Sequence, residues 1–259
     1  MKKILFLGYN SNQTKIIEKI KYFKKNITVK QSSKKVSYNV VKNFDLVISF
    51  GYRHIIEKEI ISKFKNLINV HIGFLPYNRG AHPNFWSFME NTPSGVTIHK
   101  IDEGIDTGNI IYQKLIDFDL NKNRKRLTFS NTYKKLIGEI ENIFIENIKS
   151  IININFEEFK QTGKGSYHHS NELPNLLKSW DQNIYMTVMK YEKQKREFIK
   201  KKLDLLDQIE QTRKKNNINW MNILRNSLKV SPSKTLEILD MINQDDDKIS
   251  KLFKKINEK

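Results

Sequence analysis

The chain has 259 residues, with 46 Lys and Arg against 28 Asp and Glu, a formal net charge of +18, and no cysteine. Its length can bury a substantial core, and 38% hydrophobic with 11% aromatic residues excludes a disordered chain. The lack of cysteine excludes disulfides, thiolate metal sites and cysteine nucleophiles, and fits a reducing compartment.

Residues 1–170 carry 27 Lys and Arg against 15 Asp and Glu, and residues 171–259 carry 19 against 13. A charge spread over both parts implies general attraction to anionic ligands more than a dedicated nucleic-acid surface. At the N-terminus Lys2-Lys3 precede Ile4–Leu7, but Tyr9-Asn10-Ser11-Asn12 end that run too soon for a secretory signal. No stretch approaches the roughly 18 apolar residues of a membrane span. A soluble, cytoplasmic protein is expected.

In chain order, "KKILFLGY" (Lys2–Tyr9) reads as a buried strand ending at Gly8. "TKIIEKIKYFKK" places Ile16, Ile17, Ile20 and Phe23 at helical spacing, and "NITVKQ" is a second strand. "FDLVISFGY" (Phe44–Tyr52) is a third strand ending at Gly51; "IIEKEIISKF" predicts a helix and "LINVHI" a fourth strand. This alternation predicts an α/β fold: an open, mostly parallel, Rossmann-like sheet with flanking helices, its ligands at the carboxyl ends of the strands. "GYNSNQT" after the first strand lacks the second and third glycines of a dinucleotide loop, and no phosphate loop of the G-x-x-x-x-G-K type occurs.

Further on, "NFWSFMEN" predicts a short helix, and "GVTIHKI" and "NIIYQKLIDF" predict antiparallel strands flanking the turn-rich "DEGIDTG" (Asp102–Gly108). "TYKKLIGEIENIFIENIKSIIN" predicts one long amphipathic helix, and "FKQTGKGSYHHSNEL" (Phe159–Leu173) a strand and loop returning to the core. Around Trp180 the composition changes. Ile184, Val188, Tyr191, Phe198, Leu205 and Ile209 follow spacings of three, four or seven, with Lys195 and Lys202 in the intervening seam positions. Ser231 and Pro232 suit a helix start, and in "DDDKISKLFKKI" acids precede lysines as a helix dipole favours. The expected division is a catalytic core over 1–180 and an all-helical appendage of about three helices over 181–259.

Asn69 and His71 stand two apart on a strand and so project from one face near its end. An imidazole can hold or move a proton near neutral pH, and a carboxamide can donate to a developing oxyanion. Such a pair suits attack on a carbonyl, given a third group to orient the imidazole. The 102–108 loop offers Asp102, Glu103 and Asp106.

"NVHIGFLPYNRG" and "IDEGIDTGNII" together resemble the folate-dependent formyltransferases, the family of methionyl-tRNA formyltransferase and glycinamide ribonucleotide transformylase. Their segments read N-x-H-x-S-L-L-P-x-x-R-G and D-x-G-x-D-T-G. The resemblance covers roughly residues 1–175 and departs at Gly73-Phe74, where the family has Ser-Leu. It implies the formyltransferase fold, a 10-formyltetrahydrofolate donor, no metal, and Asn69, His71 and Asp106 as the catalytic set. It also implies that Phe50, Gly51 and Tyr52, with Asp102, Gly104 and Thr107 of the loop, line the pterin.

"GFLPYNRGAHPNFWSF" and "GKGSYHHSNEL" look more like the sugar N-formyltransferases, which act on nucleotide-linked amino-dideoxy sugars for surface polysaccharide. On that resemblance the acceptor is a nucleotide-linked 4-amino- or 3-amino-dideoxy sugar, with thymidine diphosphate the expected nucleotide and dTDP-4-amino-4,6-dideoxyglucose one such sugar, for lipopolysaccharide O-antigen. Arg79 and backbone N–H groups near Gly80 would meet diphosphate oxygens. Tyr77, Asn78, His82, Asn84, Trp86, Tyr167 and His168 would shape a sugar or base pocket. The helical appendage, with no alternating strands, counts against a transfer-RNA substrate and suits self-association as a dimer. A methionyl-tRNA formyltransferase and a non-catalytic nucleic-acid-binding or interaction protein are the alternatives.

Overall fold

The structure, a computed structural model, describes residues 1–24, 26–212 and 218–257. The chain divides into two compact units, Met1–Val188 and Met189–Lys259.

The first unit is built on a six-stranded sheet in the order β2-β1-β3-β4-β6-β7. Its strands are β1 (Lys2–Gly8), β2 (Ile27–Ser32), β3 (Leu46–Phe50), β4 (Leu67–His71), β6 (Gly95–Lys100) and β7 (Ile110–Leu115). Strands β2, β1, β3 and β4 run parallel, and β6 and β7 add antiparallel. Along β1, Ile4 and Phe6 enter one core while Leu5 and Leu7 enter the other. That alternation explains the unbroken apolar run, because a strand covered on both faces needs apolar residues at every position.

The first core receives Ile16, Ile17 and Ile20 from α1 (Ile16–Phe23). It also takes Leu136, Ile140 and Phe144 from α5 (Phe129–Glu146), and Ile151 and Ile152 from α6 (Ile148–Asn153). Leu5, Leu7, Val47 and Leu67 meet Val41 of α2 (Tyr38–Val41) and Ile60 of α3 (Lys58–Lys63) on the opposite face. Fully burying one such side chain stabilises the fold by about 1.5–3 kcal/mol. Gly8, at φ 102°, ends β1 where a Cβ would stand 2.1 Å from the Phe50 carbonyl oxygen, so the close approach of β1 to the β3 end requires glycine.

Local differences from the sequence expectation have identifiable causes. The helix expected over 55–64 shortens to Lys58–Lys63, because residues 53–56 form an exposed or half-exposed loop at the β3 end. The long helix expected from Thr132 starts earlier, at Phe129. Thr128 accepts from the Asn131 N–H, and the Asn131 side chain accepts from the Thr128 N–H. It breaks at Asn147, whose Nδ2 donates to the Ile143 carbonyl and competes with the backbone ladder. The returning segment makes β8 (Tyr167–His168), paired in parallel with the two-residue β5 (Arg79–Gly80) that precedes α4 (Pro83–Met89).

Helix α7 (Ile184–Thr212) opens in the first unit and continues into the second, which also holds α8 (Ile218–Val230) and α9 (Pro232–Asn257). Within the second unit, Leu206, Met221, Leu224 and Leu228 form a buried cluster with Leu203, Leu236 and Leu239 around it. Arg225 ties α8 to Asp207 and Glu210 of α7. Pro232 opens α9 as expected, but the helix runs through the acidic stretch, so Asp246 and Asp247 lie mid-helix and not at a helix start. Phe198, Leu205 and Ile209 of the interrupted heptad are exposed on α7.

Candidate active site

The site lies at the carboxyl ends of β1, β3 and β4. Asn69 and His71 project from β4, and the antiparallel register sets Asn69 opposite His99 of β6. Asp106 comes from the β6–β7 loop at φ 53°, a left-handed conformation that Asp tolerates better than most residues. Gln161 Nε2 fixes that loop by donating to the Asp106 and Gly108 carbonyls, 2.8 Å each.

Four polar side chains meet at the floor. Asn69 Nδ2 donates to Asp106 Oδ1 at 3.1 Å and lies 3.2 Å from His99 Nε2. His71 Nδ1 stands 3.5 Å from Asp106 Oδ2, which also accepts from the Gly80 N–H at 2.8 Å. His99 Nδ1 is 2.7 Å from the Lys100 carbonyl. A carbonyl only accepts, so Nδ1 carries a proton, while Nε2 faces both Asn69 Nδ2 and, at 3.4 Å, Asp106 Oδ1. Asn69 Nδ2 lies between His99 Nε2 and Asp106 Oδ1, and one of its hydrogens must turn from them to serve a ligand. His71 Nε2 is buried without a partner among the described residues, and a Cβ on Gly73 would lie 2.5 Å from it. A side chain at Gly73 would crowd this imidazole.

Burial acts against charge on both His71 and Asp106, with opposite outcomes. It outweighs the pull of Asp106 and holds His71 below the ordinary imidazole value. For Asp106, burial would raise the pKa. The His71 and His99 rings and the Gly80 N–H overcome it, holding the carboxyl well below the usual carboxylate range. At neutral pH the pair rests as an Asp106 carboxylate beside a neutral His71.

Above this floor opens a cleft of about 1180 Å³, larger than a single small ligand requires. Of the residues expected from sequence, Phe50, Gly51, Tyr52, Asn69, His71, Gly80, His82, Asn84, Asp102, Gly104, Asp106, Tyr167 and His168 line it. Thr107, Tyr77, Asn78, Arg79 and Trp86 do not. Thr107 Oγ1 donates to Asp102 Oδ1 at 2.6 Å and shapes the loop from behind. Asn78 is buried, its N–H on Ser166 Oγ and its Nδ2 on Thr92 Oγ1, while Arg79 Nε donates to the Ser166 carbonyl. Trp86 is buried and stacks on His168 at 4.0 Å.

Several lining groups are already engaged. His168 lies between Glu172 and Glu90, at 2.9 and 3.2 Å; burial opposes its charge, but the two carboxylates prevail and raise its pKa. Tyr52 Oη donates to the Lys34 carbonyl at 3.0 Å, and Asn84 Nδ2 to the Phe129 carbonyl at 2.9 Å.

Sequence reasoning missed His99, although it sits in an alternating strand directly before the acidic loop. It also missed Tyr9 and Tyr133, whose hydroxyls meet at 2.6 Å on the cleft wall, and Lys134 and Trp180. Only the tertiary contacts bring these to the site.

Residues 9–135 match the family described as formyl transferase. The chain is 41% identical over 75 residues to a dTDP-4-amino-4,6-dideoxyglucose formyltransferase of Mycobacterium tuberculosis, covering 29% of this chain and 32% of the relative. It is 35% identical over 127 residues to a methionyl-tRNA formyltransferase of Prochlorococcus marinus, covering 48% and 37%. Those alignments span only about a third of the length of the curated relatives. Among solved structures, the formyltransferase PseJ from Anoxybacillus kamchatkensis, in complex with UDP-4,6-dideoxy-4-formamido-L-AltNAc and tetrahydrofolate, is 36% identical. The match has a TM-score of 0.64 and covers 72% of this chain and 97% of that one. With its mixed sheet, its Asn-His-Asp floor and a relative matched over nearly its whole length, the chain belongs to the formyltransferase family.

Proposed function

We propose that this protein is a folate-dependent sugar N-formyltransferase. It moves a formyl group from 10-formyltetrahydrofolate to the amine of a nucleotide-linked amino-dideoxy sugar. The observation that carries this reading is the Asn69, His71 and Asp106 floor, in a chain 36% identical to a formyltransferase solved with tetrahydrofolate and a UDP-linked 4-formamido sugar. The names of that relative and of the mycobacterial one both place the modified nitrogen at position 4, which favours a 4-amine here. The nucleoside is uridine or thymidine, and dTDP-4-amino-4,6-dideoxyglucose is one acceptor to test.

The chemistry follows from the resting charges. The neutral amine attacks the formyl carbon, and the carbonyl electrons move to oxygen. Asn69 turns one amide donor from its present partners to that oxyanion. His71, neutral at rest, takes the proton released by the attacking nitrogen, and Asp106 stabilises the imidazolium. Returning that proton to the departing folate nitrogen breaks the carbon–nitrogen bond and yields the formamido sugar and tetrahydrofolate. Phe50, Gly51 and Tyr52 and the 102–104 turn serve the pterin, while His82, Asn84 and Tyr167 face the sugar nucleotide. The product serves surface polysaccharide, of the lipopolysaccharide O-antigen kind, and is made in the cytoplasm. The exposed Phe198, Leu205 and Ile209 on α7 support self-association of the chain, most simply as a dimer.

The test is tetrahydrofolate release from 10-formyltetrahydrofolate with UDP- and dTDP-linked 4-amino and 3-amino sugars, run beside charged initiator methionyl-tRNA. Turnover on an amino sugar is the expected result. Turnover on tRNA alone, or on none of them, overturns the reading.

A further inference from the structure

The cleft wall beyond the reacting floor holds an aromatic ring and a cation that neither the motifs nor the resemblance assigns. Trp180 lines the cleft and is 42% exposed, although indole is costly to leave in water. His82 lies against the ring at 5.6 Å, tilted 32°, and Phe129 meets it edge-on at 6.2 Å. The Ser130 N–H donates to the Trp180 carbonyl at 2.7 Å, which ties this backbone to the first turn of α5. The indole is therefore a held platform with open area on the cleft.

Lys134 follows Ser130 by one turn of α5 and lines the same cleft as Trp180. It is exposed, lines the cleft and carries no ion pair among the described residues. The other guanidinium or ammonium group on the wall among those residues is Arg53, on the loop after β3 at the end assigned to the pterin. Arg79, the cation that the sequence offers for a diphosphate, is off the wall, and the Gly80 N–H is committed to Asp106.

We infer that Trp180 and Lys134 form the nucleoside diphosphate subsite of the cleft, with the base stacked on the indole and the phosphates reaching the ammonium. This rests on the nucleotide-sugar reading above. A planar π-face on a fixed backbone is what a base requires, and it tolerates either pyrimidine. A flexible ammonium meets a diphosphate as a point charge.

The test titrates UDP and dTDP into the full-length protein by calorimetry, comparing wild type with Trp180→Ala, Trp180→Tyr and Lys134→Ala, each checked for folding by its thermal transition. Trp180→Ala is expected to weaken nucleotide binding by about tenfold or more, and Trp180→Tyr to retain most of it. Lys134→Ala is expected to weaken binding about fivefold and to flatten its salt dependence. In turnover, the indole variants are expected to raise the KM for the nucleotide sugar and to leave the KM for folate within about twofold. If folded Trp180→Ala binds the nucleotide as wild type does, the subsite is overturned and the formyltransferase reading stands. If the wild type neither binds a nucleoside diphosphate nor turns over an amino sugar, the functional reading falls, and the subsite with it.

Discussion

The floor and the rim of the cleft are built differently. The floor groups sit on strands or are tied to them. Asn69, His71 and His99 come from β4 and β6, and Asp106 is fixed by Asn69, by the Gly80 N–H and, through its own carbonyl, by Gln161. They are buried or nearly so, and each ring or carboxylate has a defined orientation. The rim groups sit on loops and a helix face: Arg53, His54, Glu103 and Lys134 are exposed. The difference teaches where each kind of work is done. Proton movement and charge stabilisation need a fixed, poorly solvated array, whereas recognition of a large anionic ligand needs reach.

The largest expected effect is therefore at the floor. His71→Ala and Asn69→Ala should each lower kcat by about a thousandfold, combining lost proton transfer and lost oxyanion stabilisation. Both should keep a cooperative thermal transition. Steady-state tetrahydrofolate release checks this, and turnover near the wild-type level in either variant would break the contrast between floor and rim. His99→Gln should cost less, about tenfold to a hundredfold in kcat, because it acts by holding Asn69 and Asp106 in place. Its signature is a lowered kcat with nearly unchanged KM values for both substrates.

At the rim, Tyr52→Phe deletes the hydrogen bond to the Lys34 carbonyl. Destabilisation of about 0.5–1.5 kcal/mol and a kcat within about twofold of wild type are expected, read by denaturant titration and turnover. A kcat loss as large as that of His99→Gln would mean that the rim takes part in the chemistry.

The smallest effect is on stability against pH. Burial depresses the folded pKa of His71, so below about pH 6.5 the unfolded chain binds a proton that the folded one refuses. The His71 contribution is present above that value and is lost as pH falls. Asp106, also depressed, adds a loss of the same sign that begins only below about pH 4. His168 is raised by Glu90 and Glu172; its contribution is present below about pH 6.5 and fades as pH rises through its higher folded value. Melting temperatures from about pH 2 to pH 8 for wild type and His71→Gln separate them. The variant should lose the decline that sets in below about pH 6.5 and keep the more acidic one.

Much of this was legible in the sequence. Strand alternation is a local property, so the i, i+2 spacing alone placed Asn69 and His71 on one face at a strand end, and glycines marked where the parallel strands stop. Apolar runs without alternation announced a sheet covered on both sides. The break at Asn147 was harder to foresee, because a side chain that bonds its own backbone competes within a pattern that still reads as helical.

By itself, then, the sequence determined the α/β class, the strand ends that carry the site, the Asn-His pair and the helical character of the last third. Spacing left three loop carboxylates open and the motif pointed to Asp106; the tertiary structure alone showed its distance to the imidazole and brought His99 to the floor. It also decided that Arg79 and Trp86 turn away from the cleft while Trp180 and Lys134 turn toward it. The physical reason is range. Period and capping act within a few residues, but cross-strand register, a Gly80 N–H meeting Asp106 and a Trp180 carbonyl meeting Ser130 exist only once distant segments have packed.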